Sequence, residues 1–432
     1  MKRLILICTT FLMMFVSSVS AAQKITLADV TGSKFAPKVV SGINPIEGTD
    51  TYARISDDGK RIVTYSFKTG REQSVLFDVN NTMGEKISSF DGYTMSPDGT
   101  RLLIQTKTNY IYRRSYTAVH YIYTIASRKL ERLSDGGPQQ VPTWSSDGQQ
   151  VAFVREGNIF LVKLLYDNAE IQVTKDGKFN EVINGIPDWV NEEEFGFNRA
   201  LTFNADGTML CWIRYDESKV KTYSLQMYKG MRPEHSEYTD YPGFYSYKYP
   251  KAGQDNSVVT AWSYDIKSRK INRLNVPIDA DGYMPRIKST VDPNRIVVYT
   301  MNRHQDQLCL YAVNPRTTVA QLLIKESVPK YVQESAVEAI KFVGNNIILP
   351  SDRSGFMNLY IYNMNGQLQR TIGGKFDITE VYGYDAKTGD VYYQAAALAP
   401  TDRQVYVNHK NGKTERLTDA DGWTSALCSG AY

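Results

Sequence analysis

The chain has 432 residues, of which 42% are hydrophobic, 22% charged and 12% aromatic. That balance excludes a disordered chain, a collagen-like repeat and a polytopic membrane protein. The formal net charge is +4, and Lys2 and Arg3 supply two of those charges, so the rest is near neutral and carries no footprint for nucleic acid.

The first segment reads as a secretory leader over residues 1–21. Lys2 and Arg3 precede an apolar run from Leu4 to Val16, and small residues up to Ala22 follow, which places cleavage after Ala21. The run is short for a bilayer span of ~20 residues; an uncleaved anchor is the alternative. Export follows, to a periplasmic or extracellular location, with no membrane association after cleavage. The remaining 22–432 keeps Cys211, Cys309 and Cys428, an odd number without metal-ligand spacing. Cys211 and Cys309 sit in apolar runs and read as free, buried strand residues.

One pattern then recurs. Ser56-Asp57-Asp58-Gly59, Ser96-Pro97-Asp98-Gly99, Ser145-Ser146-Asp147-Gly148 and Asn204-Ala205-Asp206-Gly207 each lead into a short apolar strand. Asp-Gly supplies the positive φ that a tight hairpin needs. Successive glycines are 40, 49 and 59 residues apart (59 to 99, 99 to 148, 148 to 207), starting at the ~40–50 residues of a propeller blade. Degenerate copies precede Ile296, Ile347 and Val391, and several units close on a Leu-Thr-like pair such as Leu133-Ser134, Val173-Thr174 and Leu417-Thr418. Seven units are visible, and Trp423 to Tyr432 reads as the start of another. The expected fold is all-β, a β-propeller of seven to eight blades with eight favoured; a pair of β-sandwiches is the alternative. Only Gln333 to Ile340 suggests a helical turn. The long interval after Gly207 holds two inserts, Met231 to Tyr249 and Lys267 to Asp281, of the kind that become functional or interface loops.

Catalytic patterns are missing. No G-x-S-x-G turn exists, and the nearest imitation, around Ser263, lies in a strand-like run. The four histidines form no metal pattern, and His120 reads as a packed strand residue. No catalytic residue, metal or cofactor is expected. Two charged segments stand out. In Asp188-Trp189-Val190-Asn191-Glu192-Glu193-Glu194-Phe195, three adjacent carboxylates crowd one another and ask for a cation. A peptide's free α-amine, with a reference pKa of ~7.7–8.0, is such a cation. In Tyr112-Arg113-Arg114-Ser115-Tyr116, an arginine is placed to brace the glutamates or grip a peptide carbonyl. For both segments a solvated charged turn remains the plain alternative.

Together these segments resemble the dipeptidyl peptidase IV family. The run from Asp188 to Glu194 is similar to its D-W-V-Y-E-E-E motif, and Tyr112 to Ala118 to its W-R-H-S-Y-T-A segment. Tyr249-Pro250-Lys251-Ala252-Gly253 matches its Y-P-K-A-G segment, and Thr26 to Asp29 is like its opening T-L-E-D. Asn191 and Tyr112 depart from the family's usual tyrosine and tryptophan. The resemblance implies an eight-bladed propeller that, in the family, is joined to an α/β-hydrolase releasing N-terminal Xaa-Pro or Xaa-Ala dipeptides. By position in the motifs it implies that Glu193 and Glu194 bind the substrate amine and that Arg113 orients the substrate. The family's G-W-S-Y-G-G nucleophile turn has no counterpart here, so no α/β-hydrolase domain is expected in this chain. The expectation is therefore a substrate-gating propeller of a serine exopeptidase, truncated before its catalytic domain and inactive alone towards a Xaa-Pro-anilide. The rival is a non-catalytic peptide- or protein-binding propeller. The partners implied are peptide N-termini and the missing hydrolase domain; a homodimer through a propeller arm, with Lys267–Asp281 as the candidate arm, is doubtful.

Overall fold

The tight turns set the architecture. Gly59, Gly99, Gly148 and Gly207 all adopt φ of 67° or 68°, the left-handed region that an L side chain rarely enters. The residue three positions before each glycine accepts its N–H at 2.8–3.0 Å. In three of the turns the leading serine also hydrogen-bonds the aspartate before the glycine (Ser56–Asp58, Ser96–Asp98, Ser145–Asp147). Each turn launches an interior strand of a sheet, and two of these strands hold unbroken buried runs. Val151 to Val154 and Met209 to Ile213 are each 0–1% exposed. An unbroken apolar strand of this kind is covered on both faces.

The computed structural model describes residues 24–32, 34–36, 41–228, 241–419 and 421–430. The leader expected over 1–21 lies outside the described residues, as does the first half of the Met231–Tyr249 insert, residues 231–240. The chain divides into two units, 1–43 and 44–432. The first contains a five-residue helix, α1 (Leu27–Thr31), closed by a capping box between Thr26 and Asp29 and burying no residue.

The second unit is a β-propeller of seven blade sheets. Blade 1 spans residues 44–78, blade 2 83–132, blade 3 140–172, blade 4 182–273, blade 5 283–327, blade 6 341–372 and blade 7 378–416. Each is an antiparallel meander in chain order. Blade 2 adds Met83–Gly84 in parallel to its outer strand, and in blade 4 two short segments, Val182–Asn184 and Leu201–Phe203, share the strand Met209–Asp216. Apolar clusters lie between neighbours. Phe77 of blade 1 packs with Leu102 and Tyr123 of blade 2, and Leu103 of blade 2 with Phe153 of blade 3. Cys211, Val298 and Leu349 join blades 4, 5 and 6 in one cluster, and Ile348 joins blade 6 to Val391 of blade 7. Such sheets are stable only as an array, because each buries its faces on the next.

Four details differ from the sequence reading. The number of blades is seven, the lower of the two expected counts. The segment from Trp423 onward starts no blade among the described residues. It forms a single bridge to Arg403, receives Gln394 Nε2 at Thr424 O (2.7 Å), and offers Gly430 O to Gly48 N–H of blade 1 (2.6 Å), so it links blade 7 to blade 1. Lys267–Asp281 is not an arm: it supplies Ile271–Arg273, the outer strand of blade 4, and the passage to blade 5. A separate hairpin pairs Thr222–Met227 with Gly243–Lys248 and, among the described residues, with no blade. Finally, Cys211 is fully buried, but Cys309 is half-buried because it sits next to the outer strand of blade 5. Both are free, as is Cys428. The helical turn expected near Gln333 is α3, Glu334–Glu338. Among the described residues no helix is long and apolar enough to cross a membrane.

Candidate functional site

The acidic run forms a helix, α2 (Trp189–Phe195), in the connection between two segments of blade 4. Its ends explain why it forms. Asp188 is the N-cap, accepting from Asn191 N (2.9 Å) and Asn191 Nδ2 (2.8 Å), while Ser257 donates to its other oxygen. This is the usual work of an aspartate at that position. Burial nonetheless pushes the Asp188 carboxyl above the ordinary range, against those hydrogen bonds. Gly196 ends the helix at φ 68° and donates to Glu192 O. Arg286, 3% exposed, donates to Phe195 O at 2.6 Å, pairs with Glu338 and lies over the Phe197 ring. The Phe195 ring meets Tyr283 edge-on at 5.4 Å.

A helix turns ~100° per residue, so three consecutive glutamates cannot share a face. Glu192 points inward and is 1% exposed. Its Oε1 accepts from Arg114 N at 2.8 Å and Ser115 N at 2.7 Å, fixing the turn that joins two strands of blade 2. That turn carries Arg113, whose Nε lies 3.0 Å from Glu193 Oε2. The Glu193 side chain is 18% exposed and the Arg113 side chain 74%. Glu194 is exposed, and its carboxylate makes no ion pair or hydrogen bond among the described residues. The structure thus joins Arg113 to Glu193 directly, with Glu194 beside them. It gives Glu192 a separate task that the sequence reading did not assign. Arg286 and Ser257 were also missed; they are distant in sequence and only folding brings them to α2.

The third motif packs on the first. The Tyr249 ring stacks on Trp189 with centroids 4.3 Å apart, and Tyr247 bridges towards Tyr112 at 6.0 Å. The base of the hairpin, the arginine turn and α2 therefore form one body. Ser263 is buried and donates to Pro315 O, a structural role. His120 is buried against Gln139, which holds its ring Nδ1 at 3.1 Å. No three His, Cys, Asp or Glu converge as metal ligands among the described residues.

The family described as dipeptidyl peptidase IV N-terminal region matches residues 96–432. Dipeptidyl-aminopeptidase B of Aspergillus niger is 26% identical over 443 residues, covering 93% of this chain and 48% of that protein. A probable dipeptidyl-aminopeptidase B of Penicillium rubens is 28% identical over 373 residues, covering 76% and 40%. Among solved structures, the crystal structure of Porphyromonas gingivalis dipeptidyl peptidase 4 superposes with a TM-score of 0.89 at 34% identity, covering 95% of this chain and 57% of that one. The chain spans about half the length of the curated relatives it matches.

Proposed function

Because the chain belongs to the dipeptidyl peptidase IV N-terminal region family, we propose that it is the substrate-positioning propeller of an exported, dipeptidyl-peptidase-like serine exopeptidase. Glu193 and Glu194 hold the free N-terminus of a peptide, and Arg113 orients the chain that follows. The bond-breaking chemistry belongs to the part of the longer relatives that this chain does not match.

The observation that carries the reading is the Arg113–Glu193 pair with the unpaired Glu194 next to it. Arg113 neutralises one of two adjacent carboxylates and leaves one negative charge for an ammonium group. A charge-assisted contact of this kind is stronger than a neutral one and fixes position. Holding the amine at a set point determines which peptide bond meets a nucleophile placed elsewhere, so the contribution is positioning rather than proton transfer. Both ions must be charged, which requires a pH above the carboxylate range and below the ~7.7–8.0 of a free α-amine.

The test is binding of a fluorescent Xaa-Pro peptide with a free N-terminus, beside its N-acetylated twin. We expect the free peptide to bind at least about tenfold tighter. Glu193→Gln or Glu194→Gln should each remove about 1–2 kcal/mol, below the ~2–5 kcal/mol of a fully buried charge pair because the site is wet. Equal affinity for both peptides would overturn the assignment.

A further inference from the structure

Behind α2, on the side away from Glu193 and Glu194, lies a cavity of about 290 Å³. It is bounded by α2, the Ile111–Ser115 turn and the returning strand of the hairpin. Its walls are mainly apolar, with Ile111, Ile183, Ile186 and Trp189 among them. Its charged lining consists of four carboxylates, Glu156, Asp188, Glu192 and Glu217, against two ammonium groups, Lys178 and Lys248. Both lysines are engaged: Lys248 Nζ donates to Val220 O at 2.7 Å and Lys178 pairs with Glu181 at 2.5 Å. Asp188 and Glu192 are satisfied by the donors already described. Glu217 is not. It is 5% exposed, and its carboxylate has no hydrogen bond or ion pair among the described residues.

We propose that this cavity is a second ligand site, distinct from the peptide-amine site, and that it takes a small apolar primary amine whose ammonium group pairs with Glu217. A buried carboxylate without donors is costly unless it gains a proton or a cation. A carboxylate ligand would meet a lining that is already net negative, and a neutral apolar ligand would leave Glu217 without a donor. An ammonium group supplies donors and charge together, while the isoleucines and Trp189 cover its apolar body. The volume is at the small end of ligand pockets, which limits the ligand to fragment size. Titration fits the geometry. Burial first, then the Asp188 charge, pushes Glu217 up to about 7, with Lys248 opposing. Asp216 next to it in the chain adds to the upward push, and the Glu217 charge in turn pushes up the buried Tyr112 hydroxyl.

The experiment is calorimetric titration of the whole chain with 2-phenylethylamine, in a Glu193→Gln, Glu194→Gln background so that the rim site does not contribute. At pH 8 Glu217 is mostly ionised and at pH 6 mostly protonated, so affinity should rise about tenfold between them. N-acetyl-2-phenylethylamine should bind at least about tenfold more weakly, and Glu217→Gln should abolish the pH dependence. Absence of binding at millimolar amine, equal affinity for the acetylated compound, or a flat pH profile in the Glu217 protein would each overturn the proposal. If Glu217→Gln does not fold, the pH profile and the acetylated compound decide the matter without it. A rim site that fails the peptide test leaves this result unaffected, because the two readouts use different carboxylates.

Discussion

Glu192, Glu193 and Glu194 are chemically identical neighbours with three separate fates. Glu192 is sealed under the arginine turn and accepts two backbone N–H groups. Glu193 is half-covered by Arg113, and Glu194 faces solvent. Glu192→Ala strands two donors of the turn, one of them on the buried Ser115, at about 1–3 kcal/mol for each unsatisfied group. A loss of about 2–4 kcal/mol is the expected outcome, read as a lower urea midpoint. Glu192→Gln keeps an acceptor oxygen and should lose less. Glu194→Gln should stay within ~0.5 kcal/mol in stability while weakening binding of a free peptide amine. If Glu192→Ala and Glu194→Ala have equal effects on stability, the division of labour is wrong. The run of acids was legible in the sequence, but its phase was not. Once Asp188 is placed as N-cap and Gly196 as C-cap, helical spacing puts Asp188, Asn191, Glu192 and Phe195 on the inner face. Without the two caps, any of the three glutamates is as good a candidate for the inward position.

At the scale of elements, α2 is only seven residues long, too short to be stable by itself. Its order comes from neighbours: Ser257 at its N-cap, Arg286 at its last carbonyl, Tyr283 against Phe195, and Tyr249 against Trp189. Gly196 is the most exposed weakness of this arrangement. It has φ of 68°, and an added Cβ would lie 2.5 Å from Glu334 Oε1 at the tip of a flexible side chain. Gly196→Ala should cost about 1–2 kcal/mol, chiefly from the left-handed backbone. It should also reduce the preference for a free over an acetylated peptide, because the helix that carries Glu193 and Glu194 loosens. An unchanged preference at lowered stability would mean that α2 does not depend on its C-cap for position. The packing of Tyr249 on Trp189 gives a physical reason why two motifs 60 residues apart (249 less 189) travel together. Choosing between the two inserts was beyond the sequence. Both are polar and Lys-rich or Tyr-rich, and only strand pairing shows that Ile271–Arg273 completes blade 4 while Thr222–Met227 stands apart with Gly243–Lys248.

For the whole molecule, the repeat was the most legible feature, since four Asp-Gly turns and their degenerate copies all precede interior strands of blades. The blade count was harder to read, because the residues after Trp423 have the apolar and small composition of a strand but serve as the link from blade 7 to blade 1. The same burial that makes the array stable also sets its response to pH, through two groups in different blades. Burial lowers His120 in blade 2 from 6.5 to about 4, with the Gln139 hydrogen bond opposing. Above pH 6.5 neither folded nor unfolded His120 is charged. As pH falls below that, the unfolded chain takes up a proton that the folded one refuses, so stability is lost through pH 4. Glu217 in blade 4 is raised from 4.5 to about 7. There the folded chain retains a proton that the unfolded one has released, so stability is lost as pH rises from 4.5 through 7. Each limb is worth about 3 kcal/mol from a shift of ~2.5 pH units at ~1.36 kcal/mol per unit. Between pH 4.5 and 6.5 the two slopes oppose and nearly cancel, which predicts a flat profile for these groups there and a decline into pH 7–8. Glu217→Gln removes only the second limb. Its stability relative to the unsubstituted chain should therefore be about 2–3 kcal/mol more favourable at pH 8 than at pH 5, measured by urea unfolding at both values. A substitution effect that is the same at the two pH values would show that Glu217 titrates as an ordinary carboxylate, and would place its side chain in water rather than in the cavity wall.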